Sequence, residues 1–167
     1  MKLKYARPEF ERKFLLGQMP PDLPSAYRLI EDRYLENTTL RLRRITDPEG
    51  RVLSLKLNQK RRDEFGTLWI TSLYLSEAEY RMMETLPTAT LRKRRYTLIT
   101  GTRPVAIDVI PLPARELCLA EIEGSSNEEI ADDSAIPTYL REVTREREFE
   151  GYQLALFKPH DKPQAHL

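Results

Sequence analysis

The feature that most constrains this chain is a period-two alternation in which the polar partner is charged. LRLRR places Arg41 and Arg43 on one side of an extended strand and Leu40 and Leu42 on the other, because successive strand side chains point to opposite faces. PEFERKF sets Glu9, Glu11 and Lys13 against Phe10 and Phe14, with Arg12 between the two phenylalanines. LSLKL sets Ser54, Lys56 and Asn58 against Leu53, Leu55 and Leu57. LRKRRY puts Lys93 and Arg95 on one face and Arg92 and Arg94 on the other, which we take as the solvated side. Asp108 interrupts the apolar run VAIDVI, and Glu121 and Glu123 flank Ile122 in LAEIEG.

The alternation predicts strands over about 7–16, 27–35, 38–45, 51–60, 67–75, 91–100, 104–111 and 115–124. ITDPEGRV reads as a hairpin turn and GQMPPDLPS as a proline-studded loop. SEAEYRMMETL opens with Ser76 and has Glu79 three residues on, a capping box, and Pro87 ends it. IPTYLREVT, with Pro137 at a first helical turn, predicts a second helix. GSSNEEIADDSA is expected to be a short helix or a loop. The fold class is therefore α+β, mainly an antiparallel eight-stranded barrel or curled sheet with a few peripheral helices. One domain over 1–157 is expected, with 158–167 a flexible tail.

Composition narrows the chemistry. The 167 residues carry 27 Lys+Arg against 26 Asp+Glu, a formal charge of +1. That balance argues against a dedicated nucleic-acid binder, whose affinity rests on a net basic surface. Cys118 is the single cysteine and sits in the apolar run LCLAEIE, which points to a buried free thiol. The two histidines, His160 and His166, fall in the tail, so the body of the chain offers no imidazole for proton transfer or zinc. The N-terminus lacks an apolar signal core, no segment has membrane-spanning length, and a cytoplasmic location is the expectation.

Any one charged strand reads most simply as an amphipathic strand facing water. The more consequential expectation is that these faces converge inside the barrel. Like charges about 7 Å apart along one strand repel by about 2 kcal/mol at an effective dielectric near 20. A lumen bearing both signs implies occupants of both signs. Hard divalent cations take carboxylate oxygens, and phosphate chains take Arg and Lys.

In this order the segments resemble the CYTH proteins, also called triphosphate tunnel metalloenzymes. The Glu-x-Glu-x-Lys strand that opens that family is matched by Glu9, Glu11 and Lys13, and its LRLR strand by Arg41 and Arg43. SLKL supplies Lys56, KRRY supplies Lys93 and Arg95, IDV supplies Asp108, and AEIE supplies Glu121 and Glu123. YLREVT resembles the family's closing helix and QLAL its last strand. The resemblance spans residues 9–156 and implies an eight-stranded antiparallel tunnel with a charged interior, working with Mg²⁺ or Mn²⁺.

Carried over residue by residue, the resemblance makes Glu9, Glu11, Asp108, Glu121 and Glu123 candidate metal ligands. Lys13, Arg41, Arg43, Lys56, Lys93 and Arg95 become candidate phosphate ligands, with Glu9, Glu11 and Lys13 the candidate catalytic set. Lys60, at a strand end, is a poorer candidate and is expected to face solvent. The chain departs from the family at Ser72, where a glutamate is common, and at Gly151 and Tyr152, where Asn and Lys are common. Both departures bear on substrate identity.

The expected activity is metal-dependent hydrolysis of a triphosphate, most simply inorganic tripolyphosphate. The rivals are an adenylate cyclase of class IV type, a thiamine triphosphatase, and a non-catalytic polyphosphate or nucleotide binder. For thiamine, Trp69 or a tyrosine would have to supply an aromatic platform, although core packing is the simpler role for Trp69. A small-molecule partner is expected, without a membrane or nucleic acid, and a homodimer is compatible with the sequence.

Overall fold

A computed structural model describes residues 4–100, 103–113 and 115–157. The expected tail over 158–167, with His160 and His166, lies outside the described residues. The strands are β1 (Arg7–Pro8), β2 (Phe10–Leu16), β3 (Tyr27–Leu35), β4 (Leu40–Thr46) and β5 (Val52–Arg62). They continue as β6 (Leu68–Tyr74), β7 (Thr88–Thr100), β8 (Arg103–Pro111), β9 (Glu116–Gly124) and β10 (Arg141–Glu142). The helices are α1 (Glu77–Met83) and α2 (Gly151–Leu156), with a 3-10 turn over Arg147–Phe149.

Among the described residues the sheet has ten strands in the order β1-β6-β5-β4-β3-β7-β8-β9-β2-β10, not the eight expected. Every pairing is antiparallel. Seven of the expected strands appear within a few residues of their predicted limits as β3 to β9. The eighth, 7–16, is split at Glu9. Pro8 has no N–H to offer a ladder, and here the chain changes partners. β1 pairs with β6, the Glu9 N–H donates to Leu68 O at 2.8 Å, and β2 pairs with β9. The N-terminal segment thus spans the two sides of the sheet, although no continuous ladder closes it.

The split also explains β10. Where β1 leaves for β6, the outer edge of β2 is open, and unpaired backbone groups there must find partners. Residues 140–143 supply them: Leu140 N–H donates to Leu15 O and Val143 N–H to Lys13 O, each at 2.8 Å. The helix expected over IPTYLREVT therefore does not form. Its β-branched Val143 and Thr144 favour extension, and Thr144 Oγ1 accepts from the Lys13 N–H at 2.9 Å. QLAL, expected as a last strand, meets no free edge and instead forms α2. The acidic stretch after β9 is a loop with a turn at residues 127–130.

Apolar packing lies largely outside the barrel. Phe14, Leu16, Val105, Ile107, Val109, Cys118, Ala120 and Ile122 form one outer cluster, roofed by Ile130 and Ile136 of the loop after β9. Cys118 is a free thiol buried in it. On the far side α1 lays Tyr80, 1% exposed, over Leu35, Leu42 and Leu55. Its predicted capping box is present, with Ser76 accepting from Glu79 N and the Glu79 side chain returning to the Ser76 N–H. The ITDPEGRV turn also forms, with Gly50 at φ 86° in the left-handed region glycine tolerates.

One apolar cluster lies inside. Leu91, Ile110, Leu117 and Leu119 point inward from β7, β8 and β9 and meet Val143, Phe149 and Leu154 of the C-terminal segment. This plug fills one end of the barrel. Within it Gly151 packs against Tyr34: a Cβ at 151 would lie 2.0 Å from Tyr34 Oη and 3.0 Å from Cζ. Gly151→Ala should therefore destabilise the protein by about 1–3 kcal/mol, seen as a lower urea midpoint. Combined with Tyr34→Phe, which removes the nearer atom, it should cost less than the two single changes summed.

Candidate functional site

Strand alternation turns the complementary faces of these strands inward, around a cavity of about 550 Å³. Glu9, Glu11, Lys13, Arg41, Arg43, Lys56, Lys93, Arg95, Asp108, Glu121 and Glu123 all line it. The register explains the convergence: Lys13 lies opposite Glu121, Glu11 opposite Glu123, Arg95 opposite Asp108 and Arg43 opposite Lys56. Arg92 and Arg94 take the outer face, bonded to Glu31 and Glu116. Trp69 lies outside the cavity lining, its Nε1 donating to Asp63 at 2.8 Å, so it is not an aromatic platform within the site.

The two signs occupy different walls. Glu9, Glu11, Asp108, Glu121 and Glu123 come from the β1–β2 segment, β8 and β9, whereas Arg41, Arg43 and Lys56 come from β4 and β5. In the strand order β4 and β5 are separated from β8 and β9 by β3 and β7. Lys93 and Arg95 on β7 stand between the walls.

Most acids are already neutralised. Asp108, fully buried, holds the Arg95 guanidinium bidentately at 2.6 Å and also bonds the Lys93 ammonium. Glu121 bonds Arg95 and lies 3.3 Å from Lys13 Nζ. Burial would raise the Glu121 carboxyl, but Arg95, Lys93 and Lys13 together hold it well below the usual range. Burial and the nearby Arg95 pull Lys93 down against the attraction of Asp108. For Lys13 burial works downward too, yet Glu121 and Glu11 outweigh it and raise the ammonium.

The basic wall has spare donors. Lys56 has no carboxylate partner among the described residues, its ammonium lying 4.8 Å from the Tyr74 ring centre. Arg41 Nη2 donates to Asn58 Oδ1 at 3.1 Å, while its buried Nε makes no hydrogen bond. Asn58 Nδ2 in turn donates to Ser72 Oγ at 2.7 Å, so Ser72 carries a polar contact where a glutamate was expected.

Sequence reasoning missed Asp32, which is 1% exposed. Its carboxylate takes the Arg43 Nε and Nη2 at 2.6 and 2.7 Å and lies 3.6 Å from Arg41 Nε. Burial would raise it, but Arg41 and Arg43 hold it well below the usual carboxylate range. The signal was present in YRLIEDRYL, where Asp32 shares the inward face with Ile30 and Tyr34. Lys60 is a correction: it lines the cavity, with Nζ 2.5 Å from Glu9 and 3.6 Å from Glu11. Its stem is long enough to carry the ammonium inward from the strand end.

No protein-family model and no curated protein sequence matches the chain. Solved structures do. The structure of the inorganic triphosphatase NE1496 aligns with TM-score 0.57 at 20% identity, over 90% of this chain and 99% of that one. A second, described as the hypothetical protein NE1496, gives 0.54 at 22% identity with the same coverage. A "putative adenylate cyclase" from Bacillus halodurans gives 0.53 at 17% identity, over 76% of this chain and 86% of that one.

The chain has the CYTH tunnel fold. Within this tunnel the carboxylates can be tested against a divalent cation. Among the described residues no three of them are gathered into a ready cage. Their chemistry fits nevertheless. Glu11 lies directly opposite Glu123, a like-charge pair that is unfavourable without a cation nearby. Burial raises the Glu9 carboxyl, Lys60 opposes this, and Glu11 and Glu123 add to it. Hard oxygen donors of this kind suit Mg²⁺ or Mn²⁺.

Asp32 positions two guanidiniums of the tunnel, so Asp32→Asn should destabilise the fold by about 3 kcal/mol at neutral pH, because it strands buried cations. The carboxyl is depressed in the folded state, so its contribution is complete above about pH 4 and lost as pH falls below it. Urea melts of wild type and variant should differ most at neutral pH and converge in acid.

Proposed function

We propose that this protein is a divalent-metal-dependent triphosphatase, with inorganic tripolyphosphate as its simplest substrate. The observation that carries the reading is an acidic and a basic wall sharing one cavity, with Lys56 lacking a carboxylate partner among the described residues and Arg41 Nε ion-paired with Asp32 but making no hydrogen bond. Excess donors on one wall suit a polyanion, and facing carboxylates suit the cation that accompanies it.

In this reading Arg41 and Arg43, oriented by Asp32, clamp phosphate oxygens through planar forks, and Lys56 adds a point charge. Lys93 and Arg95 carry positive charge between the walls, and Lys13 carries it within the acidic wall opposite Glu121. Glu9, Glu11, Asp108, Glu121 and Glu123 would hold Mg²⁺ or Mn²⁺, which when bound supplies charge neutralisation at phosphoryl oxygens and activates water. Glu9, Glu11 and Lys13 form the catalytic set. Phosphoryl transfer depends chiefly on positioning and charge stabilisation, so the absence of histidine from the described residues is no obstacle. The plug of Leu91, Ile110, Leu119, Phe149 and Leu154 excludes water from one end of the site.

A second reading has one specific observation in its favour. A neighbouring cleft of about 510 Å³ shares Thr38, Thr39, Leu40 and Tyr152 with the tunnel and adds Asn37, Gln59 and Arg61. It has room for an organic group attached to the triphosphate, as in ATP or thiamine triphosphate.

Tripolyphosphate with Mg²⁺ or Mn²⁺ should release phosphate, and the combined Glu9→Gln and Glu11→Gln change should lower turnover by at least about 100-fold while the circular-dichroism spectrum stays native. No phosphate with either metal would reject hydrolysis. Cyclic AMP formed from ATP in place of free phosphate would select the cyclase reading.

A further inference from the structure

The position of Lys60 suggests a role that the metal and phosphate assignments leave unfilled. Its backbone lies on β5 opposite Ile70 of β6, and Arg7 of β1 lies opposite the same Ile70 from the other side. Glu9 follows two residues after Arg7. The Lys60 side chain therefore crosses a whole strand, over the buried Ile70, to bring its ammonium to the Glu9 and Glu11 carboxylates at 2.5 and 3.6 Å. Aliphatic stem on apolar surface with the charge carried beyond it is how a lysine makes such a reach. Of the cavity cations, Lys60 is the one paired with Glu9 among the described residues.

We propose that Lys60 is a resident counter-ion at the Glu9–Glu11 pair, which a divalent cation must displace, and that it thereby sets metal affinity. This rests on the reading of Glu9 and Glu11 as metal ligands. An ammonium and a metal ion cannot share the same carboxylate oxygens without strong like-charge repulsion. The Lys60 side chain is 32% exposed, so it has space to swing out when a cation arrives. In its absence Glu9, Glu11 and the facing Glu123 repel one another, so Lys60 maintains the carboxylates in the metal-free protein at the expense of metal binding.

The test is Mn²⁺ titration of the full chain without substrate, followed by electron paramagnetic resonance of the free ion. Lys60→Gln should bind Mn²⁺ at least about fivefold more tightly than wild type, and Lys60→Arg, which keeps the charge, should remain near wild type. Thermal melts of each variant without metal report whether the fold is retained. A merely structural lysine would lower the melting temperature in Lys60→Gln without tightening Mn²⁺. Unchanged or weaker Mn²⁺ binding in Lys60→Gln, with binding still lost in Glu9→Gln, would overturn the role of Lys60 and leave the metal site standing. No Mn²⁺ binding to wild type or to Lys60→Gln would overturn both.

Discussion

Everything in this fold depends on ion pairing inside a barrel whose grease is mostly outside. A buried charge is tolerated only when it is paired and hydrogen-bonded, and the tunnel meets that demand strand by strand. Asp108 is held by Lys93 and Arg95, Glu121 by Arg95 and Lys13, and Asp32 by Arg43. The hydrophobic driving force is displaced to the outer face, where α1 and the loop after β9 cover the apolar side chains. The inversion has a structural consequence. A small barrel with an apolar lumen could stand alone, whereas this one needs a roof on its exterior.

The inner and outer faces were legible because strand geometry makes them so: once Arg41 points inward, Arg43 must follow and Leu42 must not. Each of the charged segments quoted from the sequence lines the cavity for that reason. What remained hidden is what a period of two does not encode. Asp32 is a lone acid on a face otherwise holding Ile30 and Tyr34, a weak signal that gains meaning only once Arg41 and Arg43 are known to lie beside it. Lys60 was misread because its position near a strand end describes its backbone, and its ammonium acts two strands away. The segment 140–143 was misread because its partner is an edge opened by a proline more than a hundred residues earlier. Local propensity carries no trace of that edge.

The two walls differ in how much binding capacity they hold in reserve. On the acidic side, Asp108 and Glu121 are engaged by short charge-assisted bonds, and Glu9 is held by a single lysine. On the basic side, Lys56 rests against an aromatic ring and Arg41 Nε, 3.6 Å from Asp32, makes no hydrogen bond. On the proposed reading, an incoming polyanion would meet preorganised donors that need little rearrangement, which limits the reorganisation cost of binding. A cation would meet carboxylates of which Glu9, Asp108 and Glu121 must first exchange partners. On the proposed reading, anion binding would draw on donors already in place in the resting structure, while cation binding would require a local change.

The C-terminal segment shows how one edge choice propagates into the site. Because β1 pairs with β6, β2 keeps a free edge. Residues 140–143 fill it, and the chain then turns across the barrel end to deliver Phe149 and α2 into the plug. Gly151 and Tyr152 follow from that path. A residue with a Cβ at 151 collides with the Tyr34 hydroxyl, and Tyr152 packs edge-on to the Tyr34 ring at 5.8 Å. Tyr34 is itself one residue from Arg33 and lies opposite Arg41 across the β3–β4 ladder. Burial and the nearby Asp32 push its phenol up to about 12, so it stays neutral beside the basic wall. The plug and the basic wall thus meet at Tyr34, which packs against Gly151 and Tyr152 and pairs across the ladder with Arg41.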